Sequence, residues 1–349
     1  MAFKVFNPKE KIENSYSTVA EPMWSDATGT LTTFFTGSTQ NSNNGKYYND
    51  VYTSTDESTE VQFAVTYGHR TGKGSEGSSD TGTTNPTQGI YSQLRQVLLP
   101  AQTTQFDFSG GNATTFKSDD VFAIVANRAR YREKMDPGNW ELKLSSGSGA
   151  DSNVIRLIDD SGAGGNAQLG ASKREFNIVS GSVQNGIKTT AAATATATNS
   201  GSYGLFYPET GMIVLNPNAL CSGNGNVAAA KYIEEVGTSI TSNDFNHRKL
   251  FNSIKSGSYF SARREEQKRS SFYFCNVLSG EYNHSQNPSF FSGDNAALVN
   301  SAFITEPNTY ITSVGLYNDN NELLAVAKLS KPFKKDQNTE ALIKVRLDF

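Results

Sequence analysis

The sequence predicts a mainly β protein, with β-sandwich-like sheets, long loops and a few short α-helices, α+β overall. Three observations carry this. β-branched and aromatic residues gather in short runs bounded by Gly, Ser and Asn, as in "TGTLTTFFTGS" and "EVQFAVTYGHR". Hydrophobic residues make up only 36 %, yet aromatics reach 11 %, so cores exist while much Gly, Ser, Thr and Asn goes to loops. Two segments, "GLFYPETGMIVL" and "YITSVGLYNDNNELLAVAKLS", each read as two apolar runs folded about a polar tip.

The 349 residues suffice for two ordinary domains or one large β domain. Residues 1–118 form an N-terminal β-rich region. Inside it, Thr71–Gly89 has no apolar content and is expected as an exposed loop. A short helix over about 89–99 follows, because Ile90, Leu94, Val97 and Leu98 recur at helical spacing and Pro100 closes the run. Residues 119–187 form a second β region. "VFAIVA" is a continuous apolar run, fit for a strand buried on both faces. "DPGN" is strong turn chemistry and "WELKL" alternates, so a hairpin or strand pair is expected there. "VIRLID" and "EFNIVSGSV" are short strands between Gly- and Ser-rich tips.

Residues 188–202 are a low-complexity connection of Ala and Thr, an exposed β segment or a linker. Residues 203–349 form a C-terminal α+β region. In its first hairpin Gly211 supplies the positive φ of a short loop. "VAAAKYIEEVGTSI" and "NDFNHRKLFNSIKSG" read as two helices, the second capped by Asp244 and stopped by Gly257. "SSFYFCNV", the Tyr310–Ser330 hairpin and "EALIKVRLDF" return the chain to β. A last segment that is itself a good strand is expected to be tied into a sheet.

Charge and motifs exclude more than they assign. A net charge of −3 gives no global field for nucleic acid or anionic lipid. No stretch approaches the roughly 20 apolar residues that span a bilayer. The first residues lack the apolar core of a secretory signal, so a protein made in a cytoplasm is expected. Cys275, inside an apolar run, reads as a buried reduced thiol, with a disulfide or reactive thiol as the alternative.

Of the three histidines, His69 is expected in a solvated loop, since "YGHRTGKG" fails the spacing of a phosphate loop. His247 is expected on a helix surface, and His284 as a hydrogen-bonder in a turn. The carboxylate pairs Asp119–Asp120, Asp159–Asp160, Glu234–Glu235 and Glu265–Glu266 are adjacent in sequence. Adjacent residues diverge on strand and helix alike, so none is by itself an acid/base pair. No catalytic, cofactor-binding or metal-binding residue is assigned, and no cofactor. "NDNNE" (318–322) lacks the Gly and Glu of a helical calcium loop and fits a hairpin tip. "SARREEQKRSS" mixes signs, which suits a solvated, salt-bridged segment or a subunit contact.

Five stretches in one order, "RYREKMDPGNWELKL", "SYGLFYPETGMIVLNPNAL", "SSFYFCNVLSGEYNHSQNPSF", "YITSVGLYNDNNELLAVAKLS" and "ALIKVRLDF", resemble virion structural proteins of contractile-tailed bacteriophages, the cyanophage type especially. The resemblance covers about 119–349. The Tyr310–Ser330 hairpin is also similar to a segment of baseplate and tail-fibre proteins. The resemblance implies a non-enzymatic building block of the viral tail, in the baseplate or its wedges, assembled in the host cytoplasm. The partners it implies are other virion tail and baseplate proteins, with the chain present in several copies in a symmetric assembly, and no nucleic acid or membrane span. No catalytic motif is carried over.

Contact residues are expected where apolar side chains exceed what one covered face can hold. Ile311, Val314, Leu316, Leu323, Val326 and Leu329 should pack inward in part, the remainder meeting a second layer or a partner. Arg263 and Arg264 are further candidates for partner contact. Two alternatives remain. One is a receptor- or carbohydrate-binding module, with host glycan met by aromatics such as those in "GKYYNDVYTS". The other is a cell-wall-degrading tail enzyme with convergent carboxylates.

Overall fold

The structure, a computed structural model, describes residues 4–37, 47–56, 59–74, 86–109, 115–147, 153–161, 168–169, 174–184, 187–190, 201–221, 232–238, 244–293, 295 and 297–348. In chain order the first strands are β1 (Lys11–Pro22), β2 (Thr30–Leu31), β3 (Tyr48–Val51) and β4 (Phe63–His69), before helix α1 (Pro86–Leu98). Next come β5 (Phe106–Asp107), β6 (Lys117–Ser118), β7 (Asp120–Ala126), the single turn α2 (Arg128–Tyr131), β8 (Lys134–Ser145) and β9 (Val154–Asp159). Then follow β10 (Gln168–Leu169), β11 (Arg174–Gln184), β12 (Ile187–Thr190), β13 (Gly204–Tyr207), β14 (Met212–Leu215), α3 (Pro217–Leu220) and α4 (Asn246–Gly257). The last are β15 (Phe260–Val277), β16 (Phe291–Ser292), β17 (Ala297–Leu298), α5 (Ala302–Thr305), β18 (Thr309–Tyr317), β19 (Leu323–Lys335) and β20 (Ala341–Asp348). The class is mainly β with short helices, as the sequence indicates.

The chain forms two compact units, residues 19–266 and residues 1–18 with 267–349. These differ from the regions 1–118, 119–187 and 203–349 read from composition. Strands from all three of those regions share one sheet in the 19–266 unit, because strand partners are distant in sequence.

That sheet runs β15-β8-β9-β11-β13-β14-β7-β4-β3. Among the described residues its neighbouring strands pair antiparallel throughout. The sheet rolls far enough that Phe63 on β4 meets Phe260 on β15, ring centroids 5.3 Å apart, with Trp24 against both. One core fills the concave side, centred on Trp140, Phe206, Phe122 and Leu142. Helix α4 adds Leu250, Phe251 and Ile254 to it. A second core lies under α1, where Ile90, Tyr91, Leu94 and Leu98 cover Val121, Ala123, Leu205 and Val214.

This double covering explains the unbroken run "VFAIVA". On β7, Val121 and Ala123 face the α1 core while Phe122 and Ile124 face the other. Successive side chains alternate between faces, so a strand covered twice needs no polar positions. Gly68 lets α1 approach, since a Cβ there would lie 2.9 Å from the Tyr91 backbone nitrogen.

The hairpin β13–β14 forms as expected, with Gly211 at φ +64°. Five local expectations are corrected. "DPGN" makes no turn: β8 runs through it, and its register with β15 jumps from Ala262↔Trp140 to Arg264↔Met135. The extra residues are held as a bulge, where the buried Asp159 carboxylate accepts from Gly138 N at 2.7 Å and Asp136 accepts from Asn139. Tertiary hydrogen bonds thus replace the turn closure that the motif offers locally.

The loop expected over Thr71–Gly89 gives way at Pro86, which opens α1 at a first-turn position suited to proline. Its residues 75–85 lie outside the described residues. Of the first helix expected at 227–240, residues 232–238 are not helical: Ile233 bridges to Cys221. Its remaining residues lie outside the described ones, as does 191–200 of the low-complexity connection. Helix α4 begins after Phe245, which sits at φ 45° with no side-chain cap, so Asp244 does not cap it. Gly257 is the last helical residue; Ser258 at φ 53° makes the left-handed turn.

In the other unit β20 pairs with the second half of β15, from Val277↔Ala341 to Ser270↔Asp348, which ties the last strand into a sheet. Among the described residues β18 and β19 pair only with each other, as do β16 and β17.

Candidate docking surface

The β18–β19 hairpin places the candidate contact residues. Cross-strand pairs Gly315↔Val326 and Tyr317↔Leu323 set their side chains on one face. Tyr317 and Leu323 lean over Gly315, where an added Cβ would lie 2.9 Å from the tyrosine ring and 3.2 Å from Leu323 Cδ1. This face is bare: Leu323 is 52 % exposed and Val326 61 %. Leu324, extruded by a register shift between Leu316 and Tyr317, is 67 % exposed. Leu316 is 6 % exposed and packs inward as expected. Ile311, Val314 and Leu329 are half-buried, and Leu329 lines a cleft of about 470 Å³ with Phe333, Leu342 and Ile343. Leu323 and Val326 are among those that do not pack inward: a two-stranded ribbon offers two faces, and on theirs both side chains stay more than half exposed.

The tip is a turn. Asn318 Oδ1 accepts from Asn320 N and Glu322 N, and Asn321 takes φ 61°. At the base, the fully buried Lys335 donates to Ser279 O, Asn283 Oδ1 and Asp336 O at 2.6–2.9 Å. A buried ammonium needs its three donors placed, and this set fixes the hairpin to the 279–283 loop.

Arg264 is occupied within the chain. Its guanidinium lies 2.7 Å from both Glu21 Oε2 and Glu266 Oε1, while Arg132 also meets Glu266 and Lys134 meets Glu265. The mixed-charge block is thus a salt-bridged strand. Arg263 is exposed and donates to Ala20 O at 2.9 Å. It lines an open cleft of about 660 Å³ with Gly29, Thr30, Asn139 and Ser261.

The histidines depart from expectation. His69 ends β4 and is buried, its Nδ1 accepting from Thr71 N at 3.0 Å; burial first, then Lys73, lowers its pKa. His247 is buried beneath α4 rather than on its surface, and burial, aided by Arg248, pushes its pKa down to about 3. Helical pattern alone hid this, since polar neighbours masked the inward position. His284 is exposed and stacks on Phe291 at 5.6 Å.

The carboxylate pairs split between environments. Asp119 is exposed and held by Arg70, whose hydrogen bond lowers its pKa. Asp120 is buried, accepting from Tyr67 and Ser118 at 3.0 Å, and burial raises its pKa. Asp159 supports the β8 bulge, while Asp160 accepts from Asn177 N and Nδ2. Among the described residues, no group of three His, Cys, Asp or Glu side chains is placed to hold a metal. Neither Cys221, which is buried, nor Cys275, which is half-buried, is in a disulfide. Among the described residues no helix is long and apolar enough to cross a membrane.

Of the "GKYYNDVYTS" aromatics, Tyr47 is exposed and Tyr48 begins β3, at the end of the sheet path. Comparison with protein families, curated proteins and solved structures returned no match.

Proposed function

We propose that this chain is a non-enzymatic structural subunit of a phage virion tail, a baseplate or wedge component that binds neighbouring subunits through sheet edges and hairpins. One observation carries the reading: a two-stranded ribbon that, among the described residues, pairs with no third strand and leaves Leu323, Leu324 and Val326 in the open. A lone ribbon is marginal in water, and such a patch is stabilised when another surface covers it. The resemblance of the five stretches to contractile-tail virion proteins supplies the setting.

The test is made on particles of the phage that encodes the chain. Mass spectrometry of purified tails should find it in multiple copies, and gold-labelled antibody should mark the baseplate. Its absence from purified tails refutes the reading.

A further inference from the structure

Two adjacent arginines on β15 stand in opposite situations. Arg264 lies between Glu21 and Glu266, 2.7 Å from each. Arg263 projects to the other face of the strand, as alternation requires. Among the described residues it forms no ion pair, and its one hydrogen bond goes to Ala20 O at 2.9 Å. A guanidinium has five N–H donors, so four remain unspent. Arg263 is exposed and lines the cleft of about 660 Å³ in the 19–266 unit. That volume lies within the roughly 300–1,000 Å³ of small-ligand sites.

The floor of the cleft is a row across three strands. Thr30 stands opposite Ser261, and Ser261 opposite Glu141. Residues paired in this way share one face. It is the face away from the core, because Ala262, between Ser261 and Arg263, is wholly buried on the other. The carboxylates around the cleft are already matched. Glu141 accepts from Val183 N at 2.7 Å and pairs with Arg156. The buried Asp136 accepts from Asn139, and Glu265 pairs with Lys134. Among the described residues no carboxylate lines the cleft, and Arg263 is its one charged side chain. The cleft therefore offers one positive charge, a planar fork of donors and the Thr30 hydroxyl.

We propose that this cleft is a carboxylate-binding site with Arg263 as its anchor. A carboxylate is planar, meets the guanidinium fork with two parallel hydrogen bonds and carries the single negative charge that one cation balances. A phosphate dianion would find one cation where its charge calls for more. Two sources supply the group: a Glu or Asp side chain of a neighbouring protein subunit, or a free small carboxylate.

The test titrates the full chain at low salt with capped Gly-Glu-Gly, capped Gly-Gln-Gly, succinate and inorganic phosphate. Amide NMR follows Gly29, Thr30 and Ser261. The Glu peptide and succinate should move these amides to saturation, and the Gln peptide should not. Arg263→Gln should weaken binding by about tenfold or more, the usual loss for a charge-assisted hydrogen bond. Arg263→Lys keeps the charge without the fork and should fall between. Arg263 is exposed, so both variants should unfold near the wild type, which tryptophan fluorescence checks. Tighter binding of the Glu peptide than of succinate assigns the site to a neighbouring subunit's side chain, and the reverse assigns it to a free carboxylate. Shifts that never saturate, that R263Q retains, or that phosphate produces at lower concentration overturn the proposal. None of these results bears on whether the chain sits in the tail, which the particles answer.

Discussion

Replacing Gly257 by alanine should destabilise the 19–266 unit, against the ordinary sign for a helical glycine. Alanine normally favours a helix over glycine by about 1 kcal/mol. Here the new Cβ would lie 2.0 Å from Lys143 O and 2.7 Å from its carbonyl carbon, both on β8. Ordinary contact begins at 3.4 Å, so the end of α4 must retreat by about 1.4 Å (3.4 − 2.0). Leu250 and Ile254 on that helix are fully buried, and a gap of that size forfeits a quarter to a half of each contact or more. Overpacking of this kind costs about 1–3 kcal/mol, enough to outweigh the propensity gain. For a unit of this length that lowers Tm by roughly 3–10 °C. Both tryptophans, Trp24 and Trp140, are buried in the 19–266 unit, so their fluorescence during urea or thermal unfolding reports it alone. Gly89→Ala on α1 is the control, because nothing lies within 4 Å of its added Cβ; it should gain about 0.5–1 kcal/mol. A G257A chain as stable as the wild type, beside a normally stabilised G89A, refutes the close-approach argument.

Three further outcomes are expected. His247 is neutral when folded, with its pKa lowered to about 3 against 6.5 unfolded. The unfolded state binds the extra proton below pH 6.5, so stability is full above that value and lost as pH falls towards 3. The loss is about 2 kcal/mol by pH 5. Urea midpoints of His247→Gln should depend less on pH across this window than those of the wild type, and equal slopes would contradict the burial. Lys335→Met removes the donor to the half-buried Asn283 Oδ1 and Asp336 O, while Ser279 O keeps Asn283 Nδ2, and should cost about 1–3 kcal/mol, read as faster amide exchange across 279–283. Leu323→Ser with Val326→Ser touches only exposed side chains, so unfolding should shift by no more than about 0.5 kcal/mol while solubility rises; a large loss of stability would mean the face is covered within the chain.

Much of the local structure was legible in residues alone. The α1 stripe, the Gly211 hairpin and the β18–β19 ribbon follow from periodicity and turn chemistry, because their contacts are short-range. The candidate surface was half legible. That the ribbon held more apolar side chains than one face could bury was evident from its alternation, whereas which of them stayed bare was not. Leu316 and Val326 are equally apolar; one is covered and the other open because they project from opposite faces. Arg264 reads from sequence as a candidate contact because Glu21, its partner, lies far off in the chain.

By itself the sequence determined the mainly β class, the α1 and α4 helices and several of the strands, and that several apolar surfaces exceed a simple alternation, since these depend on neighbours within a few residues. Only the tertiary structure decided that "DPGN" continues a strand, that His247 is dry, and that both faces of β7 are covered while one face of β18–β19 is not. The reason is physical. Burial and long-range hydrogen bonds such as Asp159 to Gly138 N come from residues brought together by folding, and they outweigh the few tenths to one kcal/mol that a turn or cap preference contributes locally.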